Sequence, residues 1–115
     1  MKKVVLFAFK EDFMCFIHVL LNALDMKEKG YNVKIIIEGA STKLIPELTK
    51  KESHMYSLYQ KVKEKGLIDG VCKACSAKMN VLKAVKKEAL PFADEMSGHP
   101  SFSRYLNEGY QIITF

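Results

Sequence analysis

The sequence predicts a three-layer α/β/α sandwich with a mostly parallel sheet of about four to five strands. Short runs of aliphatic and β-branched residues are apolar on both faces, as is typical of strands covered by helices on both sides. These runs alternate with helical segments along the chain. With 115 residues and 49% hydrophobic content, the chain can bury one core but not two, so we expect a single domain over residues 1–115.

The first half of the chain predicts a β-α-β unit. Residues 3–9 form a continuous apolar run, and Asp12 then occupies the position of a helix N-cap. The helical pattern of residues 13–29 ends in cationic residues and a glycine, and residues 33–37 follow as a β-branched second strand. We expect the crossover between the two strands to be right-handed. Further along, Ser53 is predicted to cap a longer helix.

The second half of the chain predicts two more strands and two more helices. Residues 67–71 are predicted to form the third strand, and residues 76–88 an amphipathic helix with four lysines away from its apolar side. A loop over residues 90–99 leads to a short helix that begins at Pro100. The last strand is predicted at residues 110–115, with its direction undetermined.

Polar groups follow the predicted strands where a functional site would form. In a parallel α/β sheet, ligands bind outside the carboxyl ends of the strands. The segments that follow the first three strands are expected to share that edge. They contain Glu11, Glu38 and Ser41, and the third of them begins at Cys72.

Charge and hydropathy exclude several classes of function. The net charge of +5 comes almost entirely from scattered lysines, and Arg104 is the only arginine, so we predict a solvated lysine surface and no nucleic-acid partner. The apolar stretch at residues 13–24 falls below the roughly 20 residues of a membrane span, so no membrane partner is expected. Three cysteines without an export signal favour a reducing compartment, and we predict a cytoplasmic location.

The cysteine pair at Cys72 and Cys75 is the most informative feature of the sequence. It lies between the predicted third strand and the helix that follows, so Cys72 occupies a strand-to-helix turn. A thiol at a helix N-terminus meets unpaired backbone N–H groups and the positive end of the helix dipole, which favour the thiolate. Because the thiolate is the nucleophile, this position would prepare Cys72 to attack a sulfane sulfur and carry it as a persulfide.

Three alternatives remain open for the pair. The two cysteines could be small apolar residues that pack where strand meets helix. They could form a thioredoxin-like dithiol, although they follow the third strand and not the first. They could also bind a metal, with His99 completing an open three-ligand site, although no second Cys-x-x-Cys pair is present. No other cofactor is predicted.

The stretch Gly70-Val71-Cys72-Lys73-Ala74 resembles the DsrE/DsrF-like family, whose sulfur-relay members of the TusD type carry a Val-Cys-x-Ala turn. The order of elements over the whole chain is similar to that of the family, and the chain looks closer to its single-subunit branch. The resemblance implies a Rossmann-like fold in which Cys72 accepts persulfide sulfur and passes it on. Cys75 departs from the pattern, because the relay proteins usually have a small residue there.

We therefore predict a sulfur-relay or sulfurtransferase-like protein. Cys72 is the predicted nucleophile, Cys75 a resolving or supporting thiol, and His99 a proton partner from the loop before the last helix. Sulfur donor and acceptor proteins are the expected partners, and whether the protein turns over as an enzyme stays open. The alternatives are a non-catalytic oligomeric module that binds a small ligand or partner protein, and a Cys/His metal-binding protein.

The first predicted helix suggests self-association. Nearly all of it is apolar apart from one polar stripe, which consists of Cys15, His18, Asn22 and Asp25. We interpret His18 as a hydrogen-bonded interior residue and Cys15 as an inert one. The excess of apolar surface, together with the dimers, trimers and hexamers that the family resemblance implies, predicts a homo-oligomer.

Overall fold

A computed structural model describes all residues from Met1 to Phe115. Five strands form one parallel sheet in the order β4-β3-β2-β1-β5. The elements along the chain are β1 Lys3–Ala8, α1 Phe13–Glu28, β2 Asn32–Ile37, a 3-10 helix Gly39–Leu44, α2 Ile45–Leu48, α3 Tyr56–Glu64, β3 Ile68–Cys72, α4 Lys73–Lys78, α5 Leu82–Lys87, β4 Phe92–Ala93, α6 Phe102–Asn107 and β5 Gln111–Thr114. The predicted α/β class with a parallel sheet of four to five strands is confirmed.

The sheet is built outward from β1, whose neighbours are β2 and β5. All six residues of β1 pair with β2, from Lys3 opposite Asn32 to Ala8 opposite Ile37. The last strand, whose direction the sequence left open, runs parallel to β1. All five strands therefore end at the same edge of the sheet, as the predicted location of the site requires.

The two faces of the sheet are covered unequally. A large apolar cluster of 22 buried residues fills one face, where side chains of α1, α2, α3 and α5 pack on the strands. The other face holds a cluster of only five buried residues under α6, namely Val5, Phe7, Ile36, Tyr105 and Tyr110. The thin layer under α6 brings the adjoining loop close to the ends of β2 and β3.

Helix α1 begins as predicted. The carboxylate of Asp12 accepts a hydrogen bond from the Cys15 backbone N–H at 3.1 Å. The residues that α1 buries are Phe16, Val19, Leu20 and Ala23. The interpretation of His18 as an interior residue is wrong, because this apolar stripe faces the sheet and leaves His18 exposed.

The single helix predicted over residues 76–88 is in fact two helices. Asn80 has a φ of 60° and breaks the helical path between α4 and α5. The chain then turns back, with the Val81 N–H donating to the Ser76 carbonyl at 2.9 Å. An asparagine tolerates this left-handed conformation better than most residues, so the break falls where the backbone cost is small.

Two predicted helix starts were also placed too early. Helix α3 begins at Tyr56, and Ser53 instead accepts a hydrogen bond from the Met55 N–H within the preceding turn. Helix α6 begins at Phe102 with Ser101 as its N-cap, so Pro100 lies before the helix and not at its first position. Ser101, the residue after Pro100, has an extended backbone with φ −109° and ψ 129°, so the helix starts only after it.

The predicted loop over residues 90–99 contains an unpredicted short strand, β4. Its two residues Phe92 and Ala93 pair with Val71 and Cys72 of β3. Gly70 permits this approach, because a Cβ atom there would lie 2.9 Å from the Ala93 Cβ. The pairing directs the rest of the loop toward the carboxyl end of β3. None of the helices is both long and apolar enough to cross a lipid bilayer.

Candidate functional site

The candidate site lies where β2 and β3 end. Cys72 is the last residue of β3 and the N-cap of α4, so strand and helix join there without a loop. Cys75 belongs to the first turn of α4, Glu38 directly follows β2, and His99 comes from the loop between β4 and α6. One potential ligand atom from each of these four side chains lies within 4.8 Å of all the others. The structure thus brings together the three predicted site residues and adds a carboxylate.

Cys72 is fully buried yet surrounded by polar atoms. Its Sγ accepts from the Cys75 backbone N–H at 3.4 Å and lies 3.2 Å from His99 Nδ1. The thiol can also donate to the Gly98 carbonyl oxygen at 3.6 Å. Behind it, the Ser76 hydroxyl donates to the Cys72 carbonyl at 2.7 Å. These contacts fix both the sulfur and the backbone that carries it.

The expectation that this position favours the thiolate is wrong for the resting site. Burial raises the pKa of the Cys72 thiol to about 12, and the hydrogen bond from the Cys75 N–H offsets only part of that effect. The negative charges that Cys75 and Glu38 can carry raise it further. Helix α4 has only six residues, so few peptide dipoles align behind the sulfur. Cys72 is therefore a protonated thiol beside an imidazole.

The Cys-x-x-Cys spacing brings both sulfurs to one imidazole. Cys72 is the N-cap of α4, and an N-cap side chain accepts a hydrogen bond from a backbone N–H in the first turn of the helix. Here Cys72 Sγ accepts from the N–H of Cys75, three residues later. Cys75 Sγ lies 3.8 Å from His99 Nδ1. Unlike Cys72, Cys75 is partly exposed, so it is the thiol that solvent reaches first.

A tight turn positions His99. Met96 and His99 exchange two backbone hydrogen bonds, of 2.8 and 2.9 Å, across Ser97 and Gly98. Both central residues have positive φ, 50° and 88°, as a type I′ turn requires. The Ala74 N–H donates to the Gly98 carbonyl at 2.8 Å and holds the turn against the start of α4.

Glu38 faces the same imidazole. Its Oε2 lies 3.7 Å from His99 Nδ1, and only 13% of its side chain is exposed. Burial raises the pKa of this carboxyl group, and the charge of His99 offsets part of the rise. Ser41, predicted at the same edge, has its hydroxyl oxygen 2.7 Å from the carbonyl oxygens of both Ala8 and Glu38, and its one proton can be donated to either of them.

Among the edge residues named from sequence, only Glu38 joins the cysteines. Glu11 instead pairs with Lys43 at 3.8 Å in an exposed position. Sequence reasoning placed Glu38 at the edge but did not assign it to the site. Its location directly after β2, next to the strand that ends at Cys72, was the available signal.

The four side chains support two kinds of chemistry. A thiol 3.2 Å from an imidazole nitrogen can pass its proton to that nitrogen when it attacks an electrophile. Thiol, imidazole and carboxylate groups are also the donors of transition-metal sites in proteins. Glu38, Cys72, Cys75 and His99 are thus the residues that could hold a metal.

Comparison with known proteins shows relatives without an assigned activity. An uncharacterized protein of Methanocaldococcus jannaschii is 38% identical over 96 residues, which cover 84% of this chain and 76% of that protein. An uncharacterized protein of Archaeoglobus fulgidus is 44% identical over 41 residues, or 36% of this chain and 67% of that protein.

A conserved protein of unknown function from Bacteroides thetaiotaomicron has a similar fold. Its structure matches with a TM-score of 0.71 at 17% identity, covering 98% of this chain and 95% of that one. The sequence pattern of the DsrE/DsrF-like family matches residues 17–115, which include all four side chains of the site. The chain therefore belongs to the DsrE/DsrF-like family, and this membership suggests a function related to sulfur relay.

Proposed function

We propose that this protein is a thiol-based sulfur carrier in which Cys72 bears the transferred sulfur as a persulfide. The observation that carries the proposal is the 3.2 Å contact between Cys72 Sγ and His99 Nδ1, with the Cys75 thiol beside the same nitrogen. A thiol that is protonated at rest requires a base when it reacts, and the imidazole supplies one within reach. Membership of a family linked to sulfur relay supports the same chemistry.

The loading step is an exchange of sulfane sulfur. As the Cys72 proton moves to His99 Nδ1, Cys72 Sγ attacks the outer sulfur of a donor persulfide and forms a new S–S bond. The S–S bond of the donor breaks, and the donor sulfur leaves as a thiolate that takes the proton from His99. The products are the Cys72 persulfide and the donor thiol, so no net oxidation occurs. Transfer to an acceptor thiol is the same exchange in reverse.

Cys75 fits two parts of this scheme. Its backbone N–H donates to Cys72 Sγ, which stabilises negative charge as it develops on that sulfur. Its own thiol can resolve the persulfide by attacking Cys72 Sγ, which releases hydrosulfide and leaves a Cys72–Cys75 disulfide. A dithiol or two monothiols would then be needed to reduce the disulfide. Cys15 lies on α1 and takes no part.

Donor and acceptor proteins are the partners that this chemistry requires. A groove of about 330 Å³ opens next to the site, lined by Phe9, Glu38, Met96, Pro100, Ser101, Phe102 and Ser103. Met96 and Phe102 at its rim are 55% and 42% exposed, so an apolar surface adjoins the entrance.

Exposed Phe13, Met14 and Leu21 on α1 support a homo-oligomer through a separate surface. The three free cysteines suit a reducing compartment such as the cytoplasm.

The test is to incubate the reduced, chelator-treated protein with a persulfide donor and to locate added sulfur by peptide mass spectrometry. We expect one added sulfur atom on Cys72, none in Cys72→Ser, and slower loading in His99→Asn. Cys15→Ser is the matched control, because it removes a thiol outside the site and should load like the wild type. Absence of added sulfur on Cys72 while Cys75 is intact would refute the carrier role and leave a non-catalytic binding module as the better description.

A further inference from the structure

The four side chains of the site have the spacing of metal ligands. Cys72 Sγ lies 3.2 Å from His99 Nδ1, Cys75 Sγ lies 3.8 Å from the same atom, and that atom lies 3.7 Å from Glu38 Oε2. Ligand atoms around a tetrahedral zinc ion lie about 3.4 to 3.8 Å apart, given the usual bond lengths to sulfur, nitrogen and oxygen. The remaining pairs of these atoms lie within 4.8 Å of each other, so shifts of up to about 1 Å would bring all four into coordination.

The identity of the donors selects the class of metal. Two thiols exclude Mg²⁺ and Ca²⁺, which take oxygen ligands. One imidazole and one carboxylate beside them disfavour Cu⁺, which prefers sulfur alone. Two sulfurs, one nitrogen and one oxygen within 4.8 Å of one another match the ligand types and number that Zn²⁺ accepts.

Local structure already holds the donors in place. The sulfur of Cys72 is held by the Cys75 N–H in a capping arrangement, and the Cys72 carbonyl by the Ser76 hydroxyl. The His99 turn is bonded to Ala74 through Gly98, and the Glu38 carbonyl can accept from the Ser41 hydroxyl. Such support around ligands reduces the reorganisation that metal binding would otherwise require.

We propose that Glu38, Cys72, Cys75 and His99 bind one Zn²⁺ ion in a closed tetrahedral site. Each thiol binds as a thiolate and releases its proton to solvent. Four protein ligands leave no open position for a substrate, which is the pattern of structural zinc and not of catalytic zinc. The ion would join the end of β2, the start of α4 and the loop before α6. Entry is possible from the side of His99, whose side chain is 39% exposed.

Zinc binding has a direct consequence for the two thiols. Coordination to zinc uses a lone pair of the Cys72 sulfur and shields it from a donor persulfide, so zinc binding should compete with sulfur loading at Cys72. Zinc would therefore protect the thiols until it is removed. The zinc site is independent of the sulfur-carrier proposal, because either could exist without the other.

The test measures metal binding in the absence of any sulfur donor. Reduced, chelator-treated full-length protein is titrated with Zn²⁺ in competition with a chromophoric chelator, and with Co²⁺ to record absorption. We expect one metal per chain, a sulfur-to-cobalt charge-transfer band, and the intense visible bands of tetrahedral Co²⁺. Cys75→Ser should lower zinc affinity by more than about 100-fold, and Glu38→Gln by about tenfold or more.

Two control variants separate this site from incidental binding. Cys15→Ser removes the third thiol, and Glu11→Gln removes a carboxylate at the same edge but outside the cluster, so both should bind zinc like the wild type. Less than one zinc per chain, or full affinity in Cys75→Ser, would overturn the proposal. Unchanged affinity in Glu38→Gln would overturn the four-ligand assignment. If Cys75→Ser does not fold, the wild-type Co²⁺ spectrum and Glu38→Gln still decide the question.

Discussion

Two polar clusters hold the loop between β4 and α6, and they differ in how their charges are balanced. In the Asp69 cluster, the carboxylate accepts from Arg104 at 2.8 Å and from the Tyr105 hydroxyl, with Lys34 at 3.5 Å. Arg104 also binds Glu95 of the loop at 2.9 Å. Each carboxylate there has a cation, so the cluster is complete in itself.

The second group, the thiol cluster of Glu38, Cys72, Cys75 and His99, lacks that balance. Three of its members are acids, and a single imidazole contacts all of them. Burial raises the pKa of both Glu38 and Cys72, because each group loses the water that would solvate its charged form. A polar cluster whose charges are paired stabilises the fold. A cluster whose acidic groups lack partner cations is instead suited to react or to bind a ligand.

The largest expected effect concerns the reactivity of Cys72. At pH 8 in reduced, metal-free protein, we expect alkylation of Cys72 to be at least about a hundredfold slower than in the unfolded chain, because burial raises its pKa from 9.0 to about 12 and lowers the thiolate fraction. Glu38, Cys75 and His99 are the titratable groups that face it. Iodoacetamide labelling with peptide mass spectrometry distinguishes the three cysteines.

The raised pKa of Cys72 also determines how stability and alkylation rate change with pH. Below pH 9, the ordinary pKa of a thiol, Cys72 carries its proton in both the folded and the unfolded chain. Between pH 9 and 12 only the folded chain retains that proton. The free energy of unfolding therefore falls as the pH rises through that range. The alkylation rate of folded Cys72 should rise about tenfold per pH unit without a plateau up to pH 10. A plateau below pH 9 would show instead that His99 and the backbone N–H stabilise the thiolate.

The second expected effect is on stability. Asp69→Ala should lower the free energy of unfolding by about 2 kcal/mol, because it leaves the buried Tyr105 hydroxyl without its acceptor. Chemical denaturation provides the measurement. The thiol cluster should still bind zinc and load sulfur in this variant at temperatures where the variant is folded. Loss of zinc binding or sulfur loading in folded Asp69→Ala would mean that the two clusters are coupled through the loop.

A smaller effect is expected at the turn that carries His99. Gly98→Ala places a side chain at a φ of 88° and 3.1 Å from the Ala74 Cβ, so we expect a loss of about 1 kcal/mol in stability. The imidazole should also move away from Cys72 Sγ, which slows sulfur loading. Thermal unfolding and the loading rate are the two measurements. Wild-type values for both would show that the turn tolerates a Cβ atom.

The smallest effect is expected far from both clusters. Asp25 and Lys29 form an i,i+4 pair at 3.1 Å on α1, with side chains 55% and 67% exposed. Asp25→Asn should change the free energy of unfolding by less than about 0.5 kcal/mol, and should change neither zinc binding nor sulfur loading. A change of more than about 1 kcal/mol would show that this end of α1 is buried in an oligomer.

Local sequence signals predicted most of the fold, because caps and apolar runs act over a few residues. Asp12 identified the start of α1, and the run before Cys72 identified β3. Strand β4 could not be predicted this way, since two residues carry no periodicity and their pairing depends on the contact of Gly70 with Ala93. The break at Asn80 was missed because the apolar pattern of α4 and α5 resembles one continuous helix.

The three side chains that the sequence singled out lie together in the structure, but the sequence did not predict the electrostatics of Cys72. The spacing of Cys72 and Cys75 and the position of His99 before the last helix were sufficient to select those residues. The pKa of the Cys72 thiol depends on burial, and burial follows from the loop that covers the sulfur. Glu38 could not be added without geometry, because several acids follow the strands and only one faces the imidazole.

The hydrogen bond from the Ala74 N–H to the Gly98 carbonyl links the first turn of α4 to the loop that covers it. That bond breaks whenever the turn lifts away, so the deuterium exchange rate of a single amide reports how often the loop opens. Ligands that bind His99 and the cysteines together should slow exchange at Ala74, whereas amides of α1 should be unaffected. Deuterium exchange at the Ala74 amide can thus report whether the thiol cluster is bound to a ligand, without any chemical label on the sulfurs.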